Sequence, residues 1–474
     1  MKNALMNSTL YTNRHIVGFF TVAIILYIFI ILGFARTPIG LSESEMNTAI
    51  LSAGFSFPDS IINLPYNFLQ WLSVGAFGIS TFALRLPSVI LALFASGLII
   101  MAIRNFTRSN VAIITGLIMS CSVFFLNFAR SGTAEIMGIF LMALAVFAIS
   151  QIIRKRPKRT LWLILLSVAV ALGIYMPGGL VFLLVLLAVA FISEKSRAIL
   201  FSLKAWQIVF AVFIGVIALL PLVMSIVANP NLLLSSIGVN GFEFSPGKLL
   251  NTLQAIFSPF GAEFGGFVTP VLSFGEIALV ALGIVKLIRN GKSARTAFTL
   301  TIAGVTTLIS ILSPDKAFLM FIPWVFLIAF GVTFIIDHWY KLFPLNPYAR
   351  VLAMIPIGIF VASMMIAGRG SYINANYYNN KVVESRNVVF DALLSEVNLL
   401  SAHKVNIIAS DDDVEFYSLL EKSYPSVMVS NKANSNFDTQ IYLPKIHSEA
   451  TEIPDKIITS SAKNNALLLK IYQK

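Results

Sequence analysis

The chain has 474 residues, a net charge of +12, a mean hydropathy of +0.84, and is 57% hydrophobic but only 12% charged. A soluble domain carries about 25% charged residues; half that share, with repeated apolar runs of about 20 residues, excludes a soluble protein and predicts many membrane-crossing helices. The period-2 pattern of an outer-membrane barrel is absent, the positive excess sits in short loops rather than in a nucleic-acid-binding stripe, and the single cysteine, Cys121, excludes an internal disulfide.

In chain order, apolar windows predict about 11 transmembrane helices of roughly 20 residues each. They cover 15–34, 84–103, 110–128, 133–153, 161–175, 178–192, 206–227, 268–288, 294–312, 317–336 and 351–367. The first is too long for a signal-peptide core and lacks a small-residue cleavage site, so it is expected to stay as a helix. The fifth and sixth are short and separated by Met176-Pro177, as in a tight re-entry pair. Alternate loops carry Arg104 and Arg108, the run from Arg154 to Arg159, Lys195 with Arg197 and Lys204, Lys286 to Arg295, and Lys341 with Arg350. All fall on one side, with Lys2 and Arg14, and the positive-inside rule makes that side cytoplasmic. The loops 36–83, 228–267 and 313–316, and everything after 368, are then extracytoplasmic.

Within the first exterior loop, the stretch from Tyr66 to Ile79 spaces its aromatics and aliphatics for a helix lying in the membrane interface. The loop 228–267 has few charges and is read either as a mobile cover or as a membrane-hugging segment. Past Arg369 the composition changes. Residues 388–400 and 414–420 read as helices, while 404–409, 427–429, 440–443 and 467–471 read as strands. Together they predict a small C-terminal extracytoplasmic α/β domain, 369–474, behind a transmembrane domain, 1–368. Asp411-Asp412-Asp413 follows its first strand and reads as helix-start acids, since no calcium-loop glycine turn follows.

Several polar groups fall on the exterior side. In Gly40-Leu41-Ser42-Glu43-Ser44-Glu45, a carboxylate is placed to act as general base; equally, Ser42 and Glu45 have capping-box spacing. Arg85, in Phe82-Ala83-Leu84-Arg85-Leu86-Pro87-Ser88, is either a phosphate ligand or a snorkelling arginine with Pro87 in the first helical turn. Arg130 and Glu135 either pair with each other or contact substrate. Lys316, before Phe321-Ile322-Pro323-Trp324, is either a phosphate ligand or an interface anchor. Tyr66 and Tyr175 are candidates for acceptor contact or structural support. A transporter would need acids or broken helices near the midplane, and Glu276 is the main such acid.

These stretches resemble the C-type glycosyltransferase superfamily, in particular its dolichyl-phosphate-mannose-protein mannosyltransferase and aminoarabinose-transferase-like branch. The Phe-Ala-x-Arg-Leu-Pro-Ser signature stands without mismatch at Phe82–Ser88, and Gly40–Glu45 is similar to the lead into the family's Asp-Glu pair. Leu64-Pro65-Tyr66, Arg130 with Glu135, and Lys316 with Pro323 fit further positions. The departures are Ser44 where the family keeps its aspartate, Gly179 where some relatives have an arginine, and a single Pro65 for the usual paired prolines. The resemblance implies a plasma-membrane glycosyltransferase that moves a sugar, with inversion, from a polyprenyl-phosphate donor to an exterior protein, lipid or glycan acceptor. It implies Glu45, then Glu43, as base; Arg85, Arg130 and Lys316 at the donor phosphate; and Glu135, Tyr66 and Tyr175 toward the acceptor. No metal, other cofactor or nucleic acid is expected, and membrane lipids are the surroundings. A lipid or solute transporter, and a catalytically inactive binding subunit, stay open as alternatives.

Overall fold

The computed structural model describes residues 14–54, 61–154, 157–180, 202–230, 271–290, 294–342, 354–400, 403–432, 437–444, 454–460 and 466–473, with a few isolated positions between them. The chain is mostly helical, with a small sheet near its C-terminus. Five described helices are long and apolar enough to cross a membrane: Thr81–Phe106, Glu135–Ile153, Ala205–Ala228, Phe318–Leu342 and Ile355–Tyr378. Shorter apolar helices, among them Arg159–Ile174, accompany them. The expected segment 178–192 and the loop 228–267 lie largely outside the described residues.

One expected span is not straight. In place of a continuous 110–128 helix there are two, Ser109–Cys121 and Val123–Arg130, bent by 64°. Ser122 between them takes extended dihedrals. Gly368 of a neighbouring helix is pressed so close that a Cβ there would lie 2.3 Å from the Cys121 carbonyl oxygen. The bend turns the second piece inward, and all eight of its residues are buried.

Phe318–Leu342 is the hub of the bundle, because its buried face is almost continuous. Helix Phe274–Arg289 crosses it at Gly283 and Gly331; a Cβ at either position would lie 2.1 Å from a carbonyl oxygen of the other helix. Small residues at such a crossing let two backbones touch, which is how helices gain dispersion energy where lipid is as apolar as the side chains.

Helix Leu64–Phe77 is inside out for a water-exposed element. It buries Tyr66, Asn67, Gln70 and Ser73 and exposes Phe68, Trp71, Leu72 and Phe77. An apolar exposed face and a polar buried one suit an interface helix whose outer side meets lipid. Its start is set by Asn63 in the left-handed region and Pro65 in the first turn.

The C-terminal part forms a five-stranded sheet. Its strands are β1 Val405–Ile408, β2 Val427–Ser430, β3 Thr439–Tyr442, β4 Lys456–Ser460 and β5 Ala466–Gln473, in the order β2-β1-β3-β5-β4. β1 is parallel to both neighbours and β5 antiparallel to both of its own. β1 is buried throughout, as a strand covered on both faces should be. Helices Val389–Leu399 and Asp411–Tyr417 appear where expected, the second opening on its three aspartates. The edge strand β4 went unread in the sequence: Lys456-Ile457-Ile458-Thr459-Ser460 is short and its side chains are largely exposed. Among the described residues, the sheet domain has no core of its own. Its Phe390, Leu393, Leu420 and Ile441 share one apolar cluster with Leu41, Ala49, Ile79 and Leu84 of the first exterior loop and the helix after it.

Candidate active site

The Gly40–Glu45 stretch turns into helix Glu43–Ala53 through a complete capping box: Ser42 Oγ accepts from Glu45 N–H at 3.2 Å, and Glu45 Oε2 accepts from Ser42 N–H at 2.9 Å. Glu45 is fully buried beside Arg85, also fully buried. Arg85 Nε donates to Glu45 Oε1 at 2.7 Å and Nη2 to Oε2 at 3.1 Å. Its other donors hold the backbone oxygens of Pro38 at 2.8 Å and Gly40 at 2.6 Å, with Phe34 at 3.4 Å. Gly132 N–H completes Glu45 Oε1 at 2.7 Å. Burial opposes ionisation of Glu45, but the Arg85 guanidinium outweighs it and holds the carboxyl below its ordinary range.

Two residues expected at the reacting groups meet here. Glu45, the first choice for the base, has both oxygens taken by four donors and faces no solvent. Arg85, expected at the donor phosphate, spends its whole guanidinium inside the protein. Together they brace the corner, a bidentate pair satisfied on every side. The exposed carboxylate of this helix is Glu43, on a face with Asn47 and Leu51, and Ser44 beside it is partly exposed.

The rest of the signature anchors helix Leu64–Phe77 to helix Thr81–Phe106. Pro87 lies inside that second helix rather than in its first turn. Lacking an N–H, it leaves the Ala83 carbonyl without its helical partner, and Ser73 Oγ donates to it at 2.6 Å. Gln70 Nε2 holds the Leu84 carbonyl at 2.9 Å, and the Tyr66 hydroxyl meets Ser88 Oγ at 2.7 Å. Tyr66 is fully buried, which keeps its hydroxyl protonated well above the ordinary tyrosine range.

Arg130 and Glu135 do not pair. The inward bend carries Arg130 under the first helix, where it donates to the Leu32 and Phe29 carbonyls at 2.9 and 3.4 Å and lies over the Tyr372 ring. Glu135 begins helix Glu135–Ile153, and its Oε2 is buried with no hydrogen-bond partner. Lys316 ends the short turn Pro314–Lys316, buried, with its stem against Gly178. Burial lowers its pKa from the ordinary lysine value, and Asp315 opposes the shift. Tyr175 is buried at the end of helix Arg159–Ile174. Its hydroxyl donates to the Ala218 carbonyl at 2.8 Å and accepts from Leu222 N–H at 3.3 Å, so it stands in the place of one backbone bond beside Pro221. Its carbonyl accepts from Asn63 N–H at 3.0 Å. Glu276, the acid a transporter would use, forms a capping box with Ser273.

Two residues absent from the sequence reading belong to the corner: Tyr372, from the last long helix, and Arg386, just after it, both buried. Their signal was an arginine and a tyrosine in a segment too polar to look buried. Among the described residues, no cluster of three metal-ligating side chains occurs.

Comparison with known proteins gives three findings. Residues 64–224 match the family profile described as Dolichyl-phosphate-mannose-protein mannosyltransferase. No curated protein matches the chain. Solved structures share the fold: ArnT from Cupriavidus metallidurans in the apo state, at 12% identity and TM-score 0.57, covers 97% of this chain and 98% of its own. The same protein bound to undecaprenyl phosphate gives TM-score 0.54 at the same identity and coverage. The archaeal oligosaccharyltransferase AglB from Archaeoglobus fulgidus, in complex with an inhibitory peptide and a dolichol-phosphate, gives TM-score 0.55 at 12% identity over 89% of this chain and 65% of that one. The chain thus shares the fold of these solved structures, and over residues 64–224 it carries the sequence pattern of that family profile.

Proposed function

We propose that the protein is a membrane glycosyltransferase that takes a sugar from a polyprenyl-phosphate donor and passes it, with inversion, to an extracytoplasmic protein, lipid or glycan acceptor. The observation that carries this reading is the family match over residues 64–224, which hold Arg85, Arg130, Glu135 and Tyr175, in a fold shared with a structure bound to undecaprenyl phosphate. The braced Glu45–Arg85 pair supports it: it fixes the loop that presents Glu43. In the proposed step the acceptor hydroxyl attacks the anomeric carbon and gives its proton to the Glu43 carboxylate. The bond from that carbon to the donor phosphate oxygen breaks, and the leaving polyprenyl phosphate is stabilised by Lys316, with Arg130 adding positive charge. Glu135 Oε2, one of the buried acceptors without a partner among the described residues, is assigned to an acceptor-substrate hydroxyl. The site faces the exterior under the positive-inside orientation, and the plasma membrane is its proposed location.

The test is reconstitution in vesicles with radiolabelled polyprenyl-phosphate sugars, comparing wild type with Glu43→Gln and Lys316→Met. Loss of turnover in both variants, with folding intact, is the expected result. Full turnover in Glu43→Gln would remove it as base. A second reading, an inactive binding subunit, draws on one observation: Ser44 stands where the resembling family keeps its aspartate. Saturable binding of polyprenyl phosphate without turnover of any donor would select it.

A further inference from the structure

The C-terminal domain grips the Glu43 helix at both ends. At the N-terminal end, Leu41 N–H donates to the Asn387 carbonyl at 3.0 Å, and Asn387 N–H returns the bond to the Leu41 carbonyl at 2.8 Å. This two-bond antiparallel bridge lies directly before Ser42 and Glu43. Gly40 meets it with φ +66° and no room for a side chain: a Cβ would lie 2.7 Å from the Asn387 carbonyl oxygen. At the other end, Lys422 Nζ donates to the Ala53 carbonyl at 3.0 Å, on the last residue of the helix. Between these points Met46, Ile50 and Ala53 pack on the same apolar cluster as Leu420 and Phe390.

The grip has its own supports. Asn387 Nδ2 donates to the Tyr417 hydroxyl at 2.8 Å, from the helix after β1. Thr81, at the start of the helix that carries Arg85, donates to Asp391. Arg386, buried next to the bridge, donates from Nη2 to Asn376 Oδ1 at 3.2 Å, and its charge adds to that of Arg85 in favouring the Glu45 carboxylate. Only a short segment separates Arg386 from Tyr372, whose ring lies under Arg130. Side chains of the last membrane helix, of the sheet domain and of the signature helix therefore meet at one corner.

We propose that Arg386 and Lys422 are positioning residues, and that the C-terminal domain works as the second half of the catalytic corner, fixing the Glu43 helix against the membrane bundle through the Leu41–Asn387 bridge. The proposal rests on the glycosyltransferase reading for its effect on turnover, but its structural claim stands without it. A carboxylate displaced by about 1 Å loses on the order of 100-fold in rate.

The experiment uses the full chain in lipid nanodiscs. Arg386→Gln, Arg386→Lys and Lys422→Met are compared with wild type in two measurements. The first is release of polyprenyl phosphate from a radiolabelled polyprenyl-phosphate hexose, with vesicles of the source membrane as acceptor. The second is amide hydrogen exchange over residues 40–53. The expected result is a fall in kcat of about 10- to 100-fold for Arg386→Gln, with donor KM within about twofold, substantial recovery in Arg386→Lys, and a smaller kcat loss in Lys422→Met. Exchange over 40–53 should quicken in Arg386→Gln and Lys422→Met, while the Phe318–Leu342 hub stays protected. Unchanged exchange in both variants overturns the proposal, as does a loss that appears in KM alone. Absence of turnover in wild type, with exchange responding as described, overturns the glycosyltransferase reading and leaves the positioning claim supported.

Discussion

Arg85→Met is the sharpest test of the corner. The substitution removes both charge-assisted bonds to Glu45 and those to the carbonyls of Pro38 and Gly40. Glu45 then keeps only Ser42 and Gly132 N–H as direct donors at full burial. Bonds to charged groups are each worth about 1.5–3 kcal/mol net, but they do not add, and removing one partner of a buried pair costs about 3–5 kcal/mol in total. We expect a loss of that size, concentrated in the first exterior loop, so limited proteolysis within 36–83 should accelerate before the bundle melts. The double variant Arg85→Met with Glu45→Met leaves neither charge of the pair buried without its partner and should recover part of the loss. The pH dependence follows from the depressed pKa of Glu45. A group whose folded pKa lies below its unfolded value stabilises the protein above the unfolded value, about 4.3, and that stability is lost as pH falls through the folded value. Wild type should therefore lose loop protection only below the ordinary carboxylate range, and the double variant should lose that dependence. An Arg85→Met protein that is as protease-resistant as wild type, yet binds donor poorly, would refute the structural role and return Arg85 to the phosphate.

Four further outcomes are expected. Glu43→Gln should abolish turnover in the reconstituted assay with an unchanged melting midpoint, whereas Glu45→Gln should lower that midpoint. Lys316→Met should raise donor KM, and in wild type donor affinity should fall as pH rises through the lowered lysine pKa, earlier than for an ordinary lysine; a flat profile up to pH ~10 counts against the assignment. Tyr175→Phe should cost about 1 kcal/mol, read as a lowered melting midpoint, because the Ala218 carbonyl and Leu222 N–H beside Pro221 lose the hydroxyl they share. Leu393→Ala, fully buried in the shared cluster, should cost about 2–5 kcal/mol and expose both the sheet domain and residues 40–53 to protease together; release of the sheet alone would contradict a common core.

Local patterns carried much of this protein. Apolar runs gave the membrane helices because length and hydrophobicity are properties of a single segment. The interface helix was legible in its aromatic spacing, the capping box in Ser42 and Glu45, and most sheet strands in their alternation, because each depends on residues a few positions apart. The corner was not legible. Arg85 and Glu45 are forty positions apart, and either side chain alone reads equally well as a ligand or as a brace. Only their shared burial, with every donor and acceptor matched, decides for the brace. The break at Ser122 was hidden because its companion, Gly368, is far away in the sequence. Arg386 and Tyr372 were hidden because a polar segment becomes buried only when another part of the chain covers it. Local chemistry marked most of the helices, strands and membrane-seeking surfaces; tertiary packing chose which carboxylate faces outward, because burial and hydrogen-bond satisfaction are properties of the assembled corner.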